Sequence, residues 1–225
     1  MARQTLAEDT VSSSFSEDRL TIMRLQEEIV RLRTGTVCAL NEMLDLHDLD
    51  TSLHASRLAE WAVRVGQHLD MRGTELADLE IGAILHDIGK NGVPLAILKK
   101  PGKLDDDERK QVEKHSEYGW AILKVIPGFE KTALFVLHHH ERVDGKGYPA
   151  GLSGEEIPLA SKIITVVDSF DAMTSDRAYR KGLPIDEAVR RLHADSGTQF
   201  DRTIVNLFVE IAERDINEVR SAVDL

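Results

Sequence analysis

Apolar residues recur along this chain at helical spacing, and no segment alternates at the two-residue period of a half-buried strand. Leu20, Met23, Ile29 or Val30, Val37, Leu40 and Leu44 can share one face of a helix that opens near Ser16 and Asp18 and runs to about Asp48. Leu58, Trp61, Ala62, Val65 and Leu69 form an i, i+3, i+4, i+7 stripe over 54–70. Further helices are expected over 74–86, 105–126, 129–140, 159–175, 185–195 and 201–216, the segment 105–126 being opened by acidic residues that suit a helix N-terminus. Two Gly- and Pro-rich stretches, 87–104 and 141–158, read as irregular, and loops of that length in a compact domain usually carry function. The expected fold is all-α: a bundle of about seven helices over 48–225, preceded by a helix at 18–47 and a disordered, Ser-rich segment at 1–17. The helix at 18–47 suits either packing on its own domain or a signalling and dimerisation role, and its heptads are too few to require a coiled coil.

Composition narrows the function. The 225 residues are 42% hydrophobic and 30% charged, ordinary for a globular domain with its own core. Cys38 is the single cysteine, which excludes an intrachain disulfide framework and a thiolate zinc knuckle, and fits the cytosol. No run approaches the roughly 20 apolar residues of a membrane helix, and the first ten residues lack the apolar core of a secretory signal. A formal net charge of −11 argues against duplex nucleic acid as partner. An anionic substrate would have to be attracted locally, by cations and a few Lys or Arg side chains.

The chemistry-bearing residues are histidines and carboxylates. Nine histidines are present, unevenly spaced, with His86 followed by Asp87 at the end of an apolar segment and His138-His139-His140-Glu141 at the end of another. Donors of nitrogen and oxygen without thiolate point to iron or manganese, and less to zinc, nickel or magnesium. Two such cations about 3.5–4 Å apart can clamp a phosphoryl group and share an attacking hydroxide, a site that takes about six to eight protein ligands. His54, His86, Asp87, His115, His139, His140 and Asp168 can supply them. Asp168 ends the run Ile163-Ile164-Thr165-Val166-Val167, where a carboxylate is costly unless paired or bound to metal. The alternative for each is a satisfied polar contact at a helix end or in a core. His47, His68 and His193 read as surface or cap residues.

Three ordered segments carry a resemblance to a known family: Leu85-His86-Asp87-Ile88-Gly89-Lys90, His139-His140-Glu141-Arg142-Val143-Asp144-Gly145-Lys146-Gly147-Tyr148-Pro149, and Asp168-Ser169-Phe170-Asp171-Ala172-Met173-Thr174-Ser175-Asp176-Arg177. Together with Lys100-Pro101-Gly102 and His115 with Gly119, they make the chain from about Asp48 to Phe208 resemble the HD-GYP subgroup of HD-domain phosphohydrolases. The resemblance implies metal ligation by His86, His115, His139, His140 and Asp168, with Asp87 as bridging carboxylate and His54 as the histidine used where a third metal binds. It leaves His138 out of the ligand set, in keeping with the about 100° by which helical neighbours diverge. It implies that Lys90 contacts the scissile phosphate and that Arg177, Arg180 and Tyr148 contact substrate. Asp48 and Asp171 suit roles orienting ligands.

Asp50 stands where three-metal members carry Glu, so two metals and three are both open; Ser161 and Ala178 also depart from the family pattern. The activity implied is metal-dependent hydrolysis of cyclic di-GMP to pGpG or GMP by a metal-bridging hydroxide, with cyclic GMP-AMP as the rarer substrate. A low-turnover signalling or binding module is the competing class. The resemblance also implies a partner surface on the GYP loop, for GGDEF-type cyclases; the N-terminal helix is a separate candidate surface for such a cyclase or a sensor protein, and a homodimer is compatible with it.

Overall fold

The computed structural model describes the backbone of residues 2–46, 51–176 and 181–223, and the side chains of 18–46, 54–176 and 181–214. Two compact units divide the chain, Met1–Ala39 and Leu40–Leu225. Helix α1 (Ala2–Asp45) makes up the first unit and runs on into the second. The helix was expected to start near Ser16, with residues 1–17 disordered, and it starts at Ala2 instead. No Gly or Pro occurs before Gly35, and extending a formed helix by a residue is far easier than nucleating one, so nothing stops propagation toward the N-terminus.

The second unit is helical throughout its regular structure among the described residues. Its elements are α2 (Thr51–His68), α3 (Gly73–Leu85), α4 (Leu95–Leu98), α5 (Asp106–Glu113), α6 (His115–Leu123), α7 (Glu130–Leu137), α8 (Leu159–Thr174), α9 (Ile185–Ala194) and α10 (Arg202–Val223), with 3₁₀ turns at Ile88–Gly92 and Gly154–Glu156. Helix α8 is the hub. Every residue from Ala160 to Val167 is buried, because α2, α3, α7, α9 and α10 all pack on it. Leu58, Ala62 and Val65 of α2, Leu79 and Ala83 of α3, Ile163, Ile164 and Val167 of α8, Leu192 of α9, and Ile204, Val205 and Phe208 of α10 form one core. Each Val, Leu, Ile or Phe among them contributes about 1.5–3 kcal/mol by leaving water.

Three departures from sequence expectation bear on the site. The segment 105–126, expected as one helix, is two: an Asp105–Glu108 capping box starts α5, and the chain breaks at Lys114, where His115 Nδ1 engages the Val112 carbonyl at 2.7 Å. The segment 129–140 stops early, at Leu137, so His138, His139 and His140 occupy a turn and escape the angular spread of helical neighbours. The stretch 87–104 holds a 3₁₀ turn and the short α4 where irregular chain was expected.

Candidate metal centre

Helix ends build the centre. His86 follows the last residue of α3, His139 lies just past α7, and His115 opens α6 directly behind α5. A helix C-terminus leaves its last carbonyls without partners. Each of these histidines satisfies one of them with its own Nδ1: His86 with Ala83 O at 2.8 Å, His115 with Val112 O at 2.7 Å, His139 with Val136 O at 2.6 Å. A carbonyl only accepts, so Nδ1 carries the hydrogen, and in the neutral ring Nε2 is left as a lone pair. The ring orientation follows from the same bond, and all three Nε2 atoms turn inward.

Their convergence is close. His115 Nε2 lies 3.3 Å from His139 Nε2. The His140 ring stands 4.0 Å from that of His139 and 4.9 Å from that of His115, centre to centre. Asp87 reaches between two groups: Oδ1 is 3.5 Å from His115 Nε2 and Oδ2 is 3.2 Å from His86 Nε2. On the far side, His54 Nε2 and His86 Nε2 lie 3.4 and 3.8 Å from Asp168 Oδ1. Donor atoms of His115, His139 and His140 form one tight set, and those of His54, His86 and Asp87 another.

Electrostatics separate the two sets. Burial among other imidazoles holds His139 well below the usual histidine range, lowers His115, and brings His140 down to about 3. In the second set burial also opposes charge, but carboxylates outweigh it. Asp168 and Asp171 bring His54 up to about 9, and Asp87 with Asp168 raises His86. Asp87 itself is held well below the carboxylate range by Lys90, His86 and His115 against the opposing effect of burial, and Asp168 is lowered chiefly by His54 and His86. Three rings kept neutral by burial, their donor atoms gathered together beside a second set rich in carboxylate, are suited to cations. His86 Nε2 adds to this: it is fully buried and has no aligned hydrogen-bond partner.

The remaining expected residues fall as follows. Lys90 joins the centre through Asp87 Oδ2, at 2.6 Å from its Nζ. Tyr148 leans over His140 with ring centres 4.8 Å apart, and burial raises its phenol above the ordinary value, so it remains a hydroxyl donor. Asp168 is not sealed in the core as its apolar neighbours suggested; its side chain is 23% exposed, on the face of α8 turned toward His54 and His86. His138 turns away, 3.4 Å from Glu141. His68 and His193 are exposed. Asp50, Arg177 and Arg180, and likewise His47, Asp48 and Ala178, lie outside the described residues. Ser161, at another departure from the family pattern, is buried and donates to the Phe135 carbonyl at 3.0 Å.

Arg57 was not foreseen. Its guanidinium holds both Asp171 oxygens, at 2.8 and 3.0 Å, and Asp171 accepts from His54 Nδ1 at 2.5 Å. The signal available was its position three residues after His54, one helical turn along the same face. Glycines set the tight packing. A Cβ on Gly89 would meet the His115 carbonyl oxygen at 1.8 Å, and one on Gly147 would meet the Arg142 amide nitrogen at 2.4 Å. Gly89 is therefore required by close approach of the 88–92 turn to α6, not by the turn alone.

The chain is similar to known proteins. The family described as HD domain matches residues 39–204. The chain is 37% identical over 182 residues to a cyclic di-GMP phosphodiesterase of Thermotoga maritima, covering 80% of this chain and 49% of that one. It is 39% identical over 165 residues to the 3′3′-cGAMP-specific phosphodiesterase 3 of Vibrio cholerae, covering 73% and 36%. The chain thus spans half or less of the length of these relatives. Among solved structures, a cyclic GMP-AMP phosphodiesterase of Vibrio cholerae superposes with a TM-score of 0.63 at 20% identity, over 79% of this chain and 48% of the other. An HDG"Y"P protein of Bdellovibrio bacteriovorus gives 0.60 at 20% identity, over 78% and 57%. At that identity the likeness concerns the fold.

Proposed function

The chain belongs to the HD-domain family, in its HD-GYP branch, and from that premise we propose that it is a metal-dependent phosphodiesterase that opens cyclic di-GMP to pGpG or GMP. The observation that carries this reading is the pair of abutting donor sets, His54–His86–Asp87 and His115–His139–His140, with Asp87 reaching into both. Cations held there, iron or manganese from the donor types, supply Lewis acidity that lowers the pKa of water and offsets phosphate charge.

The side chains do the rest. Lys90, restrained by Asp87, offsets the negative charge that builds on a non-bridging phosphoryl oxygen as the 3′-oxygen departs. Asp171, clamped by Arg57, fixes the tautomer and tilt of His54. Tyr148 offers a hydroxyl donor beside His140, at the lip where substrate enters. Arg177 and Arg180 hold the second phosphate in this reading, and Asp50 joins His54 if a third cation binds. The lone cysteine and a cyclic-dinucleotide substrate fit the cytosol, and no described helix is long and apolar enough to cross a membrane. The loop that carries Gly147, Tyr148 and Pro149 is a candidate surface for a GGDEF-type or sensor partner.

The test is hydrolysis by the purified chain, loaded with iron or with manganese, followed by separation of the products. Turnover of cyclic di-GMP, lost in His86→Ala and Asp87→Ala, supports the reading; inertness toward every cyclic dinucleotide with both metals rejects it. A second reading has its own support, since a relative of similar identity is named for 3′3′-cGAMP. The ratio of kcat/KM for the two dinucleotides decides between them.

A further inference from the structure

The first unit consists of helix alone, and among its described side chains a row of apolar residues is out in solvent, whereas Val37 is buried. Ile22, Leu25, Ile29 and Leu32 are 56%, 53%, 63% and 64% exposed. Isolated exposed apolar residues are unremarkable, but these follow the 3-4-3 spacing of a heptad seam. At about 100° per residue they fall within an arc of about 80°, and no polar side chain between residues 22 and 32 enters it. The other apolar row on this helix, Leu20, Met23 and Val30, lies on a different side and is interrupted by Glu27.

Residue types on the seam are selective. Isoleucine occupies both a positions (22 and 29) and leucine both d positions (25 and 32), the arrangement that favours two parallel strands over three or four. Glu28 and Arg33 flank the seam on opposite sides, at g and e. In a parallel pair, g of one helix meets the following e of the other, so Glu28 of each copy stands beside Arg33 of its partner copy. An antiparallel pair would instead set the two Glu28 carboxylates on one flank. The seam ends where the helix loses suitable residues: Gly35 carries no side chain, and Thr36 turns its hydroxyl to the Leu32 carbonyl at 2.9 Å.

We propose that residues 22–32 of α1 form a parallel two-stranded coiled coil with a second copy of this chain. Dimerisation was one of two roles the sequence left open for this helix; the seam, its register and its polarity are what the exposed face adds.

Light scattering on the full chain during size-exclusion chromatography tests it. The expected mass is that of two chains, falling by half in Ile29→Glu while the circular dichroism of the helical core is kept. Val30→Glu, next in sequence but off the seam, retains the dimer. Orientation is read by oxidising a Cys38→Ser, Leu32→Cys double variant. In a parallel pair the two Cys side chains introduced at position 32 adjoin and cross-link; in an antiparallel pair each lies opposite Ile22, about 15 Å from its counterpart at 1.5 Å per residue. A chain that stays monomeric at every concentration, a dimer broken equally by Val30→Glu, or a dimer without the cross-link would overturn the proposal. The first of these outcomes leaves the seam to the helix of a different protein.

Discussion

His115 and His139 face each other Nε2 to Nε2 across 3.3 Å, although the Nδ1 of each is committed to a backbone carbonyl. A hydrogen bond across that gap needs one ring to be cationic, and burial lowers the pKa of both. Two opposed lone pairs repel at this distance unless a cation intervenes. Metal should therefore stabilise the protein strongly, by about 2.7 kcal/mol once its concentration is 100 times Kd. Thermal scans with manganese and with chelator measure this. The wild-type melting temperature should rise with metal, and His139→Ala should lose that rise; equal melting temperatures for wild type in metal and chelator would contradict the cation reading.

Lys90 and Asp87 form a 2.6 Å ion pair, yet removal of each should have different consequences. Asp87 spans both donor sets, so Asp87→Asn should lower bound metal as well as turnover. Lys90 offers no imidazole or carboxylate to either donor set and, in the proposed reading, meets a substrate phosphate, so Lys90→Met should keep its metal. Its kcat should fall about 10²–10³-fold, the usual cost of losing one donor that stabilises transition-state charge. Elemental analysis beside initial rates separates the two, and a Lys90→Met protein depleted of metal would place Lys90 in the structural support of the centre instead.

Stripped of cations, the protein should be most stable near pH 6.5. Above it, His54, brought up to about 9 by Asp168 and Asp171, keeps a proton that the unfolded chain has released at its ordinary 6.5. The folded state then binds more protons, so stability falls as pH rises from 6.5 to about 9, and His86 adds to the same limb. Below pH 6.5 the sign reverses. His140, down at about 3, with His115 and His139 also lowered, stays neutral while the unfolded chain takes up protons, so stability falls with pH there too. Melting temperature against pH in chelator should be a dome, with the alkaline limb shallower in His54→Gln. Saturating metal should flatten that limb, because cations and protons compete for the same nitrogens. An alkaline limb unchanged in His54→Gln would remove His54 from the account.

The histidines and aspartates that converge in the structure were legible because candidate metal donors are particular residue types, and the motifs place His86, Asp87, His139, His140 and Asp168 in order along the chain. All-α architecture was legible from apolar spacing over α2 and α8. What escaped was how donors are aimed. Periodicity cannot tell that α7 stops at Leu137, since Leu137 to His140 could continue a helix, and only the stop lets neighbouring His139 and His140 face one point. The break at Lys114 escaped for the same reason: it depends on His115 reaching the Val112 carbonyl. The spacing of Arg57 from His54 placed it on the right face, but its role escaped because its partner, Asp171, is distant in sequence and meets it only when α2 lies on α8.

Glu141 offers a test of positioning without loss of a ligand. Its carboxylate is buried and accepts from the amides of Ala150 at 2.8 Å and Leu152 at 3.0 Å, tying the chain after Gly147-Tyr148-Pro149 back beneath His140. Glutamine fills nearly the same volume but turns one acceptor into a donor that would face a backbone N–H. Leaving such a group unsatisfied costs about 1–3 kcal/mol, so Glu141→Gln should melt earlier and exchange the Ala150 and Leu152 amides faster. Tyr148, released from its stack on His140, should hold substrate less well, raising KM while metal content stays at the wild-type level. Metal loss in Glu141→Gln would instead mean that the carboxylate supports the ligands themselves, and unchanged amide exchange would mean that the loop is held by other contacts.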